Sequence, residues 1–120
     1  MEKTIFTNRW YALRPSKLLK KAPIEVPVLG NNLVMWRNNE KRVIVQGNIC
    51  PHRGAKLSMG DICDKRTCIQ CPYHGWKFDD NGILKELPAD NENSLVNKLG
   101  IQTYDAVENG GLIWFCPGNS

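Results

Sequence analysis

Four side chains that can bind a metal lie in two short, similar segments of the chain. The first segment carries Cys50 and His52, and the second carries Cys71 and His74. Thiolate sulfur and imidazole nitrogen are common ligands of zinc and of iron–sulfur clusters. In both segments a Pro follows the Cys and a Gly follows the His within two residues, which is typical of loops that turn sharply. The spacing therefore predicts two loops that close on one metal centre, each giving one Cys and one His.

The ligand pattern alone leaves two kinds of metal open. A zinc site of two Cys and two His usually has the order Cys-Cys-His-His, with a helix carrying both His. Here the order is Cys-His-Cys-His, and no helical pattern surrounds His74. A binuclear iron–sulfur cluster can instead take two thiolates on one iron and two imidazoles on the other. Burial as ordinary core residues is the third alternative, but loops rich in Pro and Gly are poor places for a core.

Three further cysteines, Cys63, Cys68 and Cys116, lie outside the two segments. The total of five is odd, which argues against the disulfide framework of a secreted protein. Cys63 and Cys68 could face each other across a hairpin, although we expect two small buried residues, since free Cys is often buried. Cys116 lies in an apolar stretch and is expected in the core.

Length and composition indicate one soluble domain. The chain has 120 residues, of which 42% are hydrophobic and 23% charged, as in ordinary globular proteins. It has no apolar run of about 20 residues that could cross a bilayer and no signal peptide at its N-terminus. We therefore expect a cytoplasmic protein without membrane contact.

The net charge of +4 comes from basic residues spread along the chain. They are either a solvated surface or a docking face for an acidic redox partner. No basic run alternates with aromatic residues, so nucleic-acid binding is not expected. The residues in question are Lys17, Lys20, Lys21, Arg53, Lys56, Lys65, Arg66 and Lys77.

Short β-branched segments separated by turn residues predict an all-β fold, a small sandwich or barrel. Strands are expected over residues 24–28, 33–36, 42–46, 76–78, 83–85 and 111–116, with turns at 29–32, 37–40 and 79–82. One helical turn is expected near Ser16, with Ser16 as its cap. Three tryptophans, Trp10, Trp36 and Trp114, are expected to anchor the core, and Trp76 to shield the metal centre.

The two metal-binding segments resemble the cluster-binding boxes of Rieske iron–sulfur proteins. The first is Cys50-Pro-His-Arg-Gly-Ala-Lys-Leu-Ser-Met-Gly60, and the second is Cys71-Pro-Tyr-His-Gly-Trp-Lys-Phe-Asp79. The resemblance implies one Rieske-type 2Fe–2S cluster, with Cys50 and Cys71 on one iron and His52 and His74 on the other. It also implies the Rieske fold, a small antiparallel β sandwich or barrel base with a cluster-binding subdomain of two loops.

The branch of the family can be read from four positions. Respiratory and photosynthetic Rieske proteins carry an additional disulfide between the boxes, where this chain has Ala55 and Tyr73. They also place Ser and Tyr hydroxyls near the cluster sulfurs, where this chain has Trp76 and Phe78. The chain is therefore similar to the ferredoxin and oxygenase branch, which has the lower reduction potentials.

The flanking segments 9–13, 33–37 and 110–118 resemble the N-terminal Rieske domain of Rieske non-haem iron oxygenases. The resemblance implies one-electron transfer, either as a soluble ferredoxin-like carrier or as the electron-entry domain of an oxygenase whose catalytic domain is absent from this chain. A mononuclear iron site needs two further His, so this chain is not expected to catalyse oxygenation alone.

The partners implied by the resemblance are redox proteins, with a reductase or ferredoxin as donor and an oxygenase as acceptor. We expect residues 1–120 to form a single Rieske domain, with a cluster-binding subdomain at about residues 45–85.

Overall fold

The computed structural model describes residues 9–28, 30–51, 54–72, 75–86, 96 and 98–118. These residues form antiparallel strands and two short 3-10 turns, Ser16–Leu18 and Leu57–Met59, with no α-helix in this part of the chain. The all-β prediction is confirmed. The strands are β1 (Tyr11–Pro15), β2 (Ile24–Val28), β3 (Asn31–Arg37), β4 (Val43–Gly47), β5 (Asp61–Cys63), β6 (Cys68–Gln70), β7 (Lys77–Asp79), β8 (Leu84–Glu86), β9 (Thr103–Asn109) and β10 (Leu112–Cys116).

Six strands from the two ends of the chain form the larger sheet, in the order β1-β10-β9-β4-β3-β2. Its strand β3 is buried on both faces. Leu33 and Met35 pack into one hydrophobic cluster with residues of β1 and β10, whereas Val34 and Trp36 pack into the other. Because side chains alternate across a strand, a continuous apolar run such as that of β3 serves two cores at once.

The smaller sheet, β5-β6-β7-β8, is inserted between β4 and β9. Its apolar residues Ile69, Phe78 and Leu84 are fully buried against Val34 and Trp36 of the larger sheet. The two predicted metal-binding segments lie just before β5 and just after β6. The larger sheet is therefore a base on which the smaller sheet and both segments are mounted.

Three buried amide side chains connect the base to the inserted sheet. Gln46 of β4 accepts a hydrogen bond from the Trp36 indole at 2.9 Å and donates to the backbone oxygen of Asp79 at 2.9 Å. Asn38 donates to the Asp80 carboxylate at 3.0 Å. Asn48 accepts from the backbone N–H of Ser58 at 2.7 Å. Buried polar groups are costly unless they are paired, so these bonds fix the position of the insertion on the base.

The six predicted strands agree with the structure to within one or two residues, whereas β1, β5, β6 and β9 were not predicted. Several local predictions are wrong. Asn31 and Asn32 were expected in a turn but begin β3, where they pair with β2. Trp10, Trp114 and Cys116 were expected in the core, but Trp10 is 47% exposed and the other two are only half-buried. Ser16 was expected to cap a helical turn, but Pro15 is in the cap position and no side chain caps the turn.

Among the described residues, no helix has the length and apolar composition needed to span a membrane.

Replacing Gly60 with Ala tests how tightly the inserted sheet is packed. A Cβ at Gly60 would collide with the backbone oxygen of Gln70, at the end of β6. Overpacking of this kind costs about 1–3 kcal/mol, so urea unfolding should show a free energy of unfolding lower by that amount. Gly47→Ala is the matched control, because nothing lies within 4 Å of a Cβ there. Equal stability of the two variants would contradict this packing.

Candidate metal centre

The loops that carry Cys50 and Cys71 are closed by the same backbone hydrogen bond. The N–H of Cys50 donates to the carbonyl of Ala55 at 2.8 Å, and the N–H of Cys71 donates to the carbonyl of Trp76 at 2.8 Å. In each case the acceptor is the fifth residue after the Cys. Two segments with different sequences between their ends therefore form loops of the same size.

A glycine with positive φ stands at the same position of both loops, four residues after the Cys. The φ angle is 72° at Gly54 and 73° at Gly75. Glycine populates this left-handed region without the steric cost that other residues have there. The glycine turns the chain so that the next residue can accept the closing hydrogen bond.

Both loops bury the thiol and expose the residue beside it. Cys50 is 1% exposed and Cys71 is 4% exposed, and both belong to one hydrophobic cluster. Pro51 and Pro72, their immediate neighbours, are exposed. The loops therefore hold two buried thiols just below the protein surface.

The two predicted imidazole ligands, His52 and His74, lie outside the described residues, as do Arg53 and Tyr73. Among the residues that the structure does describe, no three His, Cys, Asp or Glu side chains come together as a metal site. What the structure shows is that both thiols belong to one hydrophobic cluster, each at the start of a loop of matched size. This donor set fits a centre that takes two thiolates from two equivalent loops.

Cys68 is not equivalent to Cys71, although the two form a Cys-x-x-Cys sequence. Successive side chains of a strand point to opposite faces, so residues three apart lie on opposite sides. Ile69 and Cys71 accordingly share one hydrophobic cluster, to which Cys68 does not belong. Cys68 instead lies opposite Cys63 in the β5–β6 pair. The Cys-x-x-Cys sequence is therefore not a chelating pair.

Burial favours the protonated form of the Cys63 and Cys68 thiols. Burial, helped by the negative charge of Asp64, raises the pKa of the Cys63 thiol to about 11. Burial likewise raises the pKa of Cys68.

Trp76 and Phe78 lie in the hydrophobic cluster that also contains the thiol of the second loop. Trp76 is 2% exposed and Phe78 is fully buried, in the same hydrophobic cluster as Cys71. Trp76 follows the second loop's glycine and supplies its closing carbonyl. That Trp76 shields the metal centre stays a prediction.

Several basic residues in the described part of the chain either pair with carboxylates or line one hollow. Lys56 pairs with Glu25 at 2.9 Å, and Lys77 pairs with Asp64 at 3.3 Å. A second group lines a hollow of about 360 Å³. That group consists of Lys20, Lys21, Arg37, Lys41 and Arg66, of which Arg37 is paired with Glu108 at 2.7 Å.

Residues 9–105 match one protein family, the Rieske [2Fe-2S] domain. Among curated proteins, methylxanthine N3-demethylase NdmB of Pseudomonas putida is 30% identical over 99% of this chain and 36% of its own length. Among solved structures, apo dicamba monooxygenase superposes with a TM-score of 0.86, at 32% identity over 97% of this chain and 35% of that chain.

A second solved structure is a reduced complex between oxygenase and ferredoxin in carbazole 1,9a-dioxygenase. It superposes with a TM-score of 0.85, at 26% identity over 96% of this chain and 30% of that chain. This chain thus spans about a third of the length of the proteins that it matches.

The raised pKa of Cys63 can be measured through its reactivity. In the folded protein, the rate of alkylation of Cys63 by iodoacetamide should rise about tenfold per pH unit until the pH reaches about 11. In the unfolded chain the Cys63 thiol has a pKa near 8.5. As the pH rises, the unfolded state therefore loses the thiol proton before the folded state does. The stability owed to the protonated thiol is therefore complete below about pH 8.5 and falls as the pH approaches about 11.

Alkylation of each cysteine is followed by peptide mass spectrometry, and the Cys63→Ala variant identifies the Cys63 contribution to the pH dependence of stability. A plateau of the Cys63 rate near pH 8.5, the value of an unperturbed thiol, would contradict the assignment.

Proposed function

This chain belongs to the Rieske [2Fe-2S] domain family, whose Rieske-type 2Fe–2S cluster transfers electrons, and we propose that it is the electron-entry domain of an oxygenase system. Of the two kinds of metal that the ligand pattern left open, membership of this family favours the 2Fe–2S cluster over zinc. The matched loops around Cys50 and Cys71 are the observation that carries the proposal, because they offer two buried thiols from two equivalent positions.

We propose Cys50, His52, Cys71 and His74 as the cluster ligands. Cys50 and Cys71 would hold one iron, and the two imidazoles the other. The loop closures and the burial of both thiols support the cysteine half of this set. The histidine half rests on the sequence, in which these are the two His of the chain. We also propose that residues 1–120 form a single Rieske domain, with residues of about 45–85 as its cluster-binding part.

When bound by the two loops, the cluster would supply a one-electron couple. The protein's own residues bury the thiols and exclude water from them, and Trp76 and Phe78 contribute apolar walls. Pro51 and Pro72 leave the outer side of the loops at the surface. A site that is dry on one side and close to solvent on the other suits electron exchange with a docked protein.

An oxygenase setting is favoured over a free ferredoxin-like carrier by the proteins that this chain resembles. NdmB and dicamba monooxygenase match nearly all of this chain with about a third of their own length. In this setting, the acceptor of the electron is a mononuclear iron domain, in the same polypeptide or in another. Reading the encoding locus beyond the codon for Ser120 separates the two settings.

We propose a redox protein such as a ferredoxin as electron donor. The oxygenase of carbazole 1,9a-dioxygenase is recorded in complex with a ferredoxin. Near the first loop, this chain exposes Met59 (72%) and Ile49 (44%) beside Pro51. Apolar side chains around a buried redox centre provide contact area for a partner that docks over the loops.

Cysteine variants test the ligand assignment. The purified protein should contain about two iron and two acid-labile sulfide per chain, with the visible absorption of a Rieske cluster. Cys71→Ser should lose both, because a buried thiolate ligand is removed. Cys68→Ser is the matched control, since Cys68 is also buried but lies on the opposite face of β6. Loss of the cluster from a folded Cys68→Ser variant, with retention in Cys71→Ser, would show that the wrong thiolate was assigned.

The reduction potential tests whether Trp76 and Phe78, which lack hydroxyl groups, lower the potential of the cluster. Hydrogen bonds to cluster sulfurs stabilise the reduced state, and each charge-assisted bond is worth about 1.5–3 kcal/mol. Two missing hydroxyl donors correspond to a shift on the order of 100 mV for a one-electron couple. Voltammetry should therefore place the potential near the low end of the Rieske range of about −150 to +300 mV.

Phe78→Tyr should raise this potential, because Phe78 and Cys71 lie in the same buried cluster. Phe115→Tyr is the matched control, because Phe115 is 1% exposed in the other hydrophobic cluster. It introduces a similarly buried hydroxyl away from the loops and should leave the potential unchanged. A wild-type potential above about +200 mV, in the upper part of the range, would contradict the role of the missing hydroxyls.

A further inference from the structure

Cys63 and Cys68 form a second pair of thiols, separate from the loops of the metal centre. They are directly opposite partners in the antiparallel pair of β5 and β6 and close the hairpin at its turn. Side chains of opposite residues point to the same face. Ile62 and Ile69, the neighbouring pair, contact the hydrophobic cluster that contains Cys50 and Cys71. Cys63 and Cys68 therefore lie on the other face of the sheet, away from the metal centre.

We propose that Cys63 and Cys68 form a reversible disulfide across the β5–β6 hairpin, which gives this chain a thiol redox couple besides its cluster. The proposal concerns residues that the proposed electron-transfer function does not use. It holds or fails independently of that function.

The geometry of opposite residues suits this bond. Their Cα atoms are about 4.5–5.5 Å apart in an antiparallel pair, within the span of about 4.4–6.8 Å that disulfides allow. Their Cβ atoms, about 4.5–5.5 Å apart, must approach to about 3.5–4.5 Å. The pair is adjacent to a four-residue turn. Cys68 also pairs with Asp79 of β7, whereas Cys63 is at the end of the edge strand β5, so the approach is made mainly by Cys63.

The turn between the two cysteines is already tightly constrained. Asp64, Lys65 and Arg66 have φ angles of 53°, 58° and 65°, a conformation that residues other than Gly rarely adopt. Thr67 donates its backbone N–H to the carbonyl of Cys63 at 3.1 Å. The Arg66 side chain also donates to the carbonyls of Arg37 at 2.9 Å and Lys21 at 3.0 Å. These contacts hold the two strand ends together without a disulfide.

The environment determines the order of the reaction. Cys63 is partly exposed, whereas Cys68 is 6% exposed, so an oxidant meets Cys63 first. With a small disulfide such as oxidised glutathione, the Cys63 thiolate attacks one sulfur and releases one glutathione thiol. The Cys68 thiolate then attacks Cys63 and releases the second. Two protein S–H bonds are replaced by one S–S bond, and the glutathione disulfide is reduced to two thiols.

The raised pKa of Cys63 affects the speed of this reaction. Because the thiolate is the attacking form, oxidation should be slow near neutral pH and accelerate as the pH approaches about 11. Asp64, Lys77 and Glu86 are the charged groups that act on this thiol. Lys77 favours the thiolate, whereas the two carboxylates oppose it.

Tryptic mapping of the cluster-loaded protein tests the proposal. Lys65 and Arg66 lie between the two cysteines, so trypsin separates Cys63 from Cys68 unless a disulfide joins them. The protein is equilibrated at pH 9 with mixtures of reduced and oxidised glutathione, and its remaining thiols are blocked before digestion. The expected result is a linked pair of peptides, about 2 Da lighter than their sum, which separates again in excess reduced glutathione.

Three variants make the result specific. Cys63→Ser and Cys68→Ser should each abolish the linked peptides, and the second excludes a bond to Cys71, which is on the same tryptic peptide as Cys68. Cys116→Ser should leave the linkage intact. The visible absorption of the cluster, recorded before digestion, shows that Cys50 and Cys71 were not consumed. Retention of both thiols at every glutathione ratio, or a mixed disulfide on Cys63 that never resolves, would overturn the proposal.

Discussion

Two backbone hydrogen bonds, from Cys50 to Ala55 and from Cys71 to Trp76, are the constraint on which the site depends. Each closes a loop of the same size and requires a glycine in the left-handed region just before the acceptor. Without closure, the two thiols would not both be held at the inner side of a short loop. Two segments of different sequence thus form loops of the same geometry. This match is the physical basis for proposing a metal centre that takes ligands from both loops.

The rest of the structure maintains these loops in position. The first follows β4 directly and is held by the buried amide of Asn48, and the second continues β6. Gln46 and Asn38 connect the inserted sheet to the base at points distant from the loops. A buried amide that loses its partner costs about 1–3 kcal/mol. The insertion therefore has one strongly preferred position, and the relative position of the two loops is set by it.

Local features of the structure could be read from the sequence because they depend on near neighbours. The Cys, Pro and Gly positions of the two loops specify turns within six residues, and the apolar run of β3 specifies a strand. Features that depend on distant residues could not be read. Asn is usually found in turns, but the Asn32 side chain here accepts a hydrogen bond from the Asn48 side-chain amide at 2.9 Å. The exposure of Trp10 and the partners of Gln46 likewise follow from packing between segments that are far apart in the chain.

Pulsed electron paramagnetic resonance of the reduced protein, prepared with ¹⁵N-labelled histidine, tests the central claim most directly. The chain contains only two His, at positions 52 and 74, so every labelled nitrogen signal belongs to one of them. Two strongly coupled ¹⁵N nuclei are expected, one from each imidazole that binds the cluster iron. A reduced spectrum without strongly coupled ¹⁵N, as from a cluster held by four thiolates, would contradict the proposed centre.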